Sequence, residues 1–169
     1  MSKSTLLYAA APGVIVSSPG AIGALELGVD HQQRYESGYG TAWRLFEAHR
    51  LVCLGTGSPQ LRYDFVVHVR PPTAREVEGS VAHETFDLEV LSGGLVIRDG
   101  FDLLDWEPVA SDEIRFPLPA DSYHVTSLFW AASPAVDQDM TIALCFEATD
   151  DDLGGCGWPY LEYFVAGGP

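Results

Sequence analysis

The sequence predicts an all-β fold, an antiparallel β-sandwich formed as a single domain over residues 1–169, and three observations predict it. In Leu61 to Arg70 the apolar Leu61, Tyr63, Phe65, Val67 and Val69 alternate with Arg62, Asp64, Val66, His68 and Arg70 over a full strand length. Further strand-length apolar segments follow at intervals of about ten to twenty residues, separated by Pro, Gly and Asp turns. The chain is 47% hydrophobic and 20% charged, a balance that offsets ordering entropy without staples. At this length a domain buries roughly 70% of its unfolded surface.

Residues 1–40 are rich in Ala, Gly, Ser and Pro. Their short apolar runs, Val14 to Val16 and Ala24 to Leu27, read as strands between turns, with residues 1–30 the less ordered part. The opening Met-Ser-Lys and the run from Leu6 to Val16 have the outline of a signal peptide, but Pro12, Gly13 and Pro19 interrupt it and only Lys3 precedes it. From Thr41 to Leu54, Trp43, Leu45, Phe46, Leu51 and Val52 fit a short helix and a strand pair equally well.

Leu61, Tyr63, Phe65, Val67 and Val69 give the clearest strand, ended by Pro71 and Pro72, which cannot donate to a ladder. Thr73 to Ala82 reads as a linker. Phe86, Leu88 and Val90 then alternate with Thr85, Asp87 and Glu89, and Ser92-Gly93-Gly94 leads to Leu95 and Ile97 in the pattern of a hairpin. Ile114 to Leu118, Tyr123 to Trp130 and Ile142 to Phe146 read as further strands, and Tyr160 to Phe164 closes the sheet.

Charge divides the chain unevenly. Residues 1–80 hold Lys3, Arg34, Arg44, Arg50, Arg62, Arg70 and Arg75 against an equal number of acids. Residues 81–169 hold Arg98 and Arg115 against the remaining carboxylates, so the whole net charge of -15 sits in the C-terminal half. Such a field repels nucleic acid and anionic lipid, and no apolar run approaches the roughly 20 residues of a membrane helix. It attracts and steers a basic protein. The competing reading is that the acids only keep the protein soluble.

No motif assembles an active site. Gly55-Thr56-Gly57-Ser58 places its serine before Pro59 and reads as a loop, not a nucleophile elbow. His31, His49, His68, His83 and His124 have no metal-ligand spacing, and Cys53, Cys145 and Cys156 match no zinc or redox pattern, so they read as reduced and buried. His68 and His124 lie on the polar parity of their strands. Asp150-Asp151-Asp152 resembles a calcium-ligand run but lacks the spaced Asp-x-Asp-x-Asp-Gly order of a calcium loop. Neither metal nor cofactor is expected, and the chain is read as a binder, not an enzyme.

The acids keep aromatic company: Asp105 beside Trp106, Asp121 near Tyr123, and Asp150, Asp151 and Asp152 ahead of Trp158 and Tyr160. Carboxylates set beside large aromatic rings suit a protein interface, where the rings supply desolvated area and the acids meet Lys or Arg. The alternative is that Trp106 and Trp158 cap the core and the acids are loop.

Phe86-Asp87-Leu88-Glu89-Val90, Gly94-Leu95-Val96-Ile97 and Phe116-Pro117-Leu118-Pro119-Ala120-Asp121-Ser122-Tyr123-His124-Val125 occur in that order. Over residues 84–130 this resembles the bacterial competence protein J family, and similar Leu-Pro-x-x-x-Tyr patterns occur in immunity proteins of bacterial toxins. The resemblance implies a small β-rich protein that inhibits a partner nuclease. The family pattern tends to place Gly in the turn before the Tyr, where this chain has Asp121, and no functional residues carry across.

Together these readings predict a cytoplasmic inhibitor or immunity-type protein that occludes a basic partner, a nuclease or toxin. Asp105, Asp150, Asp151 and Asp152 would supply charge, with Trp106, Trp158 and Tyr160 at the contact. The alternative is a carbohydrate- or calcium-binding sandwich that uses Trp130, Trp158 and Tyr160 as stacking faces.

Overall fold

The computed structural model describes residues 3–9, 13–56, 61–108, 110, 112–131, 140–153 and 160–161. The strands are β1 (Lys3–Ala9), β2 (Gly13–Ser17), β3 (Leu51–Gly55), β4 (Leu61–His68), β5 (Ala82–Val90), β6 (Leu95–Asp99), β7 (Ile114–Phe116), β8 (Asp121–Ala131), β9 (Met140–Ala148) and β10 (Tyr160–Leu161). Helices α1 (Pro19–Ile22), α2 (His31–Glu36), α3 (Gly40–Glu47) and α4 (Ala74–Gly79) and a 3-10 turn, Gly100–Leu103, lie between them.

The described strands form two sheets. The first has the order β1-β4-β9-β8-β5 and the second β10-β3-β2-β6-β7. Their inner faces share one core, in which Tyr63, Phe65, Phe129, Ile142, Leu144 and Phe146 of the first sheet meet Val14, Val16, Leu54, Leu95 and Ile97 of the second. Phe146 and Tyr123 stack edge to face at 5.5 Å between ring centroids, a geometry that the ring quadrupoles favour.

The outer face of the second sheet carries a second core. Ile15 and Val96 pack there against Ala21 and Ile22 of α1, Ala42, Leu45 and Phe46 of α3, Leu103 of the 3-10 turn and Trp106 beyond it. Burial on both faces is why Val14-Ile15-Val16 and Leu95-Val96-Ile97 are continuous apolar runs. β2, in the N-terminal stretch, is thereby a central strand. Among the described residues the first sheet's outer face carries a smaller cluster, Leu128, Ala143 and Cys145, with Val66, Trp130 and the α4 residue Val77 packed against it.

Several expectations are corrected. The fold is mostly β and not all-β, because the helices close the second sheet's outer face. Its pairing is mixed: β4 lies parallel to β9, and β3 parallel to β10. The stretch left open at 41–54 is a helix followed by a strand, α3 then β3, and Ala24 to Leu27 falls in turns, not a strand.

The 73–82 linker contains α4, whose capping box is explicit. The Glu76 N–H donates to Thr73 Oγ1 at 3.3 Å, and the Thr73 N–H to Glu76 Oε2 at 2.7 Å. The Ser92-Gly93-Gly94 segment does not make a hairpin, since β5 pairs with β8 and β6 with β2 and β7. It carries the chain from one sheet to the other. Gly94 sits at φ 85°, where a Cβ would come within 2.5 Å of the Phe116 carbonyl oxygen, so both backbone angle and space demand glycine.

The Leu-Pro-x-x-x-Tyr element has a structural role. Leu118 is buried, and the buried Tyr123 donates its hydroxyl back to the Pro119 carbonyl at 3.1 Å. Asp121 opens β8 without a positive φ, so this position needs no left-handed backbone and Asp suits it as well as Gly.

Candidate protein-binding site

Three neighbouring strands of the first sheet end together, and their register assembles an acidic face. Asp87 of β5 lies opposite His124 of β8, which lies opposite Glu147 of β9. All three side chains occupy the outward parity. His124 Nδ1 and Asp87 Oδ1 are 2.6 Å apart. Two and three residue pairs nearer the end, Glu89 faces Ser122 and Val90 faces Asp121.

Beyond β9 the Thr149 N–H donates to the Ser122 carbonyl at 2.9 Å, and Asp150, Asp151 and Asp152 follow, all exposed. The Asp151 N–H donates to Thr149 Oγ1 at 3.1 Å. The sequence pointed to the Asp150 to Asp152 run; the fold adds Asp87, Glu89, Asp121 and Glu147 to its neighbourhood. Arg50 enters from beyond α3, its Nε donating to Glu89 Oε2 at 2.6 Å, and this bond raises the already high pKa of the guanidinium.

Asp105 is placed elsewhere. It is exposed on the loop after the 3-10 turn, outside the second sheet, so the chain does not merge it with Asp150 to Asp152 into one cluster. Its neighbour Trp106 is 2% exposed and packs inward. The indole therefore supports the loop from beneath and does not project as a contact ring. Trp158 lies outside the described residues, and Tyr160 pairs with Cys53 at the edge of the second sheet.

What fixes Trp106 is Arg98, which sequence reading missed. Arg98 points outward from β6 under the loop and is 1% exposed. Its guanidinium carbon stands 4.1 Å from the Trp106 ring centroid, Nε donates to Asp102 Oδ2 at 2.7 Å, and Nη1 donates to the Glu107 carbonyl at 2.9 Å. A buried cation so enclosed by a ring, a carboxylate and a carbonyl is satisfied. Burial pushes the Asp102 carboxyl upward, although its bond to Arg98 pulls the other way. The Gly28 N–H donates to the Trp106 carbonyl at 3.0 Å, tying the loop to the turn before α2.

Groups that could do chemistry stay apart. Burial pushes the Cys145 thiol up to about 11, so it remains a neutral thiol. His68 is held below the ordinary imidazole value by burial, with Arg70 adding to the effect. His31 is buried, with Nε2 on the Glu26 carbonyl at 3.0 Å and Nδ1 unpartnered. Among the described residues no group of three or more His, Cys, Asp or Glu is placed to hold a metal ion. No described helix is long and apolar enough to cross a membrane. Ser58 and Asp137 to Asp139 lie outside the described residues.

Two facing mixed sheets with short helices on their outer faces make an architecture that this chain shares with other solved proteins. One is ComJ from Bacillus subtilis, described as an inhibitor of the DNA-degrading activity of NucA, with a TM-score of 0.54 at 14% identity over 87% of this chain and 96% of ComJ. Another is the protein of crocagin biosynthetic gene J, with a TM-score of 0.52 at 18% identity over 86% of this chain and 96% of that one. The resemblance to the competence protein J family, read from residues 84–130, thus extends at the level of the fold along most of the chain. No family model matches the chain, and no curated protein matches it in sequence.

Proposed function

We propose that the chain is an inhibitor or immunity-type protein that binds a basic partner, a nuclease or other toxin, in the cytoplasm and occludes its working surface. It acts as a binder and not as a catalyst. The observation that carries this reading is the architecture shared with ComJ over nearly the full length of both chains. The electrostatics agree with it. A nuclease presents Lys and Arg to a polyanion, and rigidly mounted carboxylates compete for the same groups. Asp150, Asp151 and Asp152 stand beside Glu147 and Asp121 on such a mount, and Asp105 stands on a second.

The test is an affinity column bearing the chain, loaded with source-cell lysate at low salt. Retained proteins are identified by mass and assayed for DNA degradation with and without added chain. Retention of a basic nuclease that the chain inhibits, weakened by high salt and by Asp150→Asn/Asp151→Asn/Asp152→Asn, is the expected outcome. Retention of nothing basic overturns the reading. Stabilisation by calcium or by glycans would then support the alternative ligand-binding sandwich.

A further inference from the structure

Three of the six large hydrophobic side chains exposed among the described residues belong to one region: Leu27 at 69%, Phe101 at 44% and Leu104 at 44%. Phe101 lies in the 3-10 turn and Leu104 directly follows it, and Leu27 precedes Gly28, whose N–H is bonded to the Trp106 carbonyl two residues beyond Leu104. Apolar groups of this size left in water at a single location mark a contact surface. The exposed carboxylates of Glu26, Asp105 and Glu107 occupy the same two segments.

The region is also held rigid. Asp99 Oδ1 accepts from the Phe101 N–H at 2.9 Å, the Leu104 N–H donates to the Phe101 carbonyl at 2.9 Å, and the buried Arg98 clamps Asp102, Trp106 and Glu107 from below. A backbone fixed in this way has little freedom left to lose on association, which suits an interface anchor.

We infer that Phe101 and Leu104, with Leu27 beside them, are the apolar anchor by which this protein docks its partner, and that the partner presents an apolar patch rimmed by Lys and Arg. The inference rests on the inhibitor reading and locates its contact: Trp106 is the buried support, and the exposed residues above it make the contact. Charge selects the occupant, because carboxylates around an apolar centre are complementary to a basic rim and repel a second copy of this acidic chain.

Titration of DNA degradation tests it, with purified NucA and the nuclease retained on the affinity column as probes. Phe101→Ser/Leu104→Ser is expected to raise the concentration for half-inhibition by about 100-fold and Leu27→Ser by about tenfold. Val69→Ser, an equally bare position at 53% exposure beyond β4, is expected to leave it unchanged, as a loss confined to the anchor requires. Circular dichroism and Tm confirm that each variant is folded.

Wild-type inhibition that Phe101→Ser/Leu104→Ser leaves intact overturns this inference and leaves the inhibitor reading standing. Absence of inhibition by the wild type overturns both. Light scattering that shows a dimer dissolved by Phe101→Ser/Leu104→Ser, or hydroxyl-radical labelling that finds Phe101 and Leu104 shielded in the free monomer, also overturns it, because the patch would then be covered by this chain.

Discussion

The outer faces of the two sheets are treated differently. Helices α1 and α3 and the loop after the 3-10 turn seal the second sheet with Leu45, Phe46, Leu103 and Trp106. Among the described residues the first sheet's outer face is less covered, with α4 resting on Leu128, Ala143 and Cys145, Val66 and Trp130 partly buried beside them, and polar or charged residues beyond. The sealed side builds a buried support under exposed Phe101, Leu104 and Asp105, and the open side displays carboxylates from the strands themselves. Both sides display side chains, one from a loop and the other from a sheet.

The comparison can be broken first at the shared inner core. Phe146→Ala removes a fully buried ring and its contact with Tyr123, and is expected to cost about 4 kcal/mol in urea unfolding. Next comes the sealed side: Asp102→Ala strands the buried Arg98 cation and is expected to cost about 3 kcal/mol, while Arg98→Met, which removes the charge with the pair, costs less. A cost for Arg98→Met equal to that of Asp102→Ala would show that packing and not charge holds the loop.

On the open side, Thr73→Ala removes the cap of α4 and is expected to cost about 1 kcal/mol. The smallest effect is one of pH. His68 is held below its unfolded value chiefly by burial, so the unfolded chain binds the proton more readily. Its contribution is complete above about pH 6.5 and is lost as pH falls from there through the folded value. His68→Gln is expected to flatten the stability profile across that window. An unchanged profile would assign the acid sensitivity to other groups.

These differences also decide what could be read in advance. Strands open on one side announced themselves by alternation: Leu61 to Arg70 matches β4, and Tyr123 to Trp130 falls within β8. The helices that seal the second sheet are four to eight residues long, too short for a 3.6-residue period to stand out. α4 lies in the stretch read as a linker, although Thr73-Ala74-Arg75-Glu76 spells its capping box.

The crossing at Ser92 to Gly94 was not legible, because a glycine turn does not state which sheet receives the next strand. The acidic face was half legible. The parity of Asp87 and Glu89 on β5 was visible, but their alignment with Glu147 needs a strand order that joins residues some sixty positions apart. In Phe101 to Trp106 four large apolar side chains compete for burial; Leu103 and Trp106 go inward, the indole beside Arg98, and Phe101 and Leu104 stay exposed.

β5 ends the first sheet among the described strands, with its Glu89 N–H taken by the His49 carbonyl at 2.6 Å. The remainder of that edge has the geometry to accept another strand. Asp87 and Glu89 give it like charge against any copy of itself, so colloidal stability is written into the same carboxylates that face a partner. At the isoelectric point near 4.4 that mutual repulsion vanishes, and the edge loses its electrostatic barrier to pairing with a copy of itself.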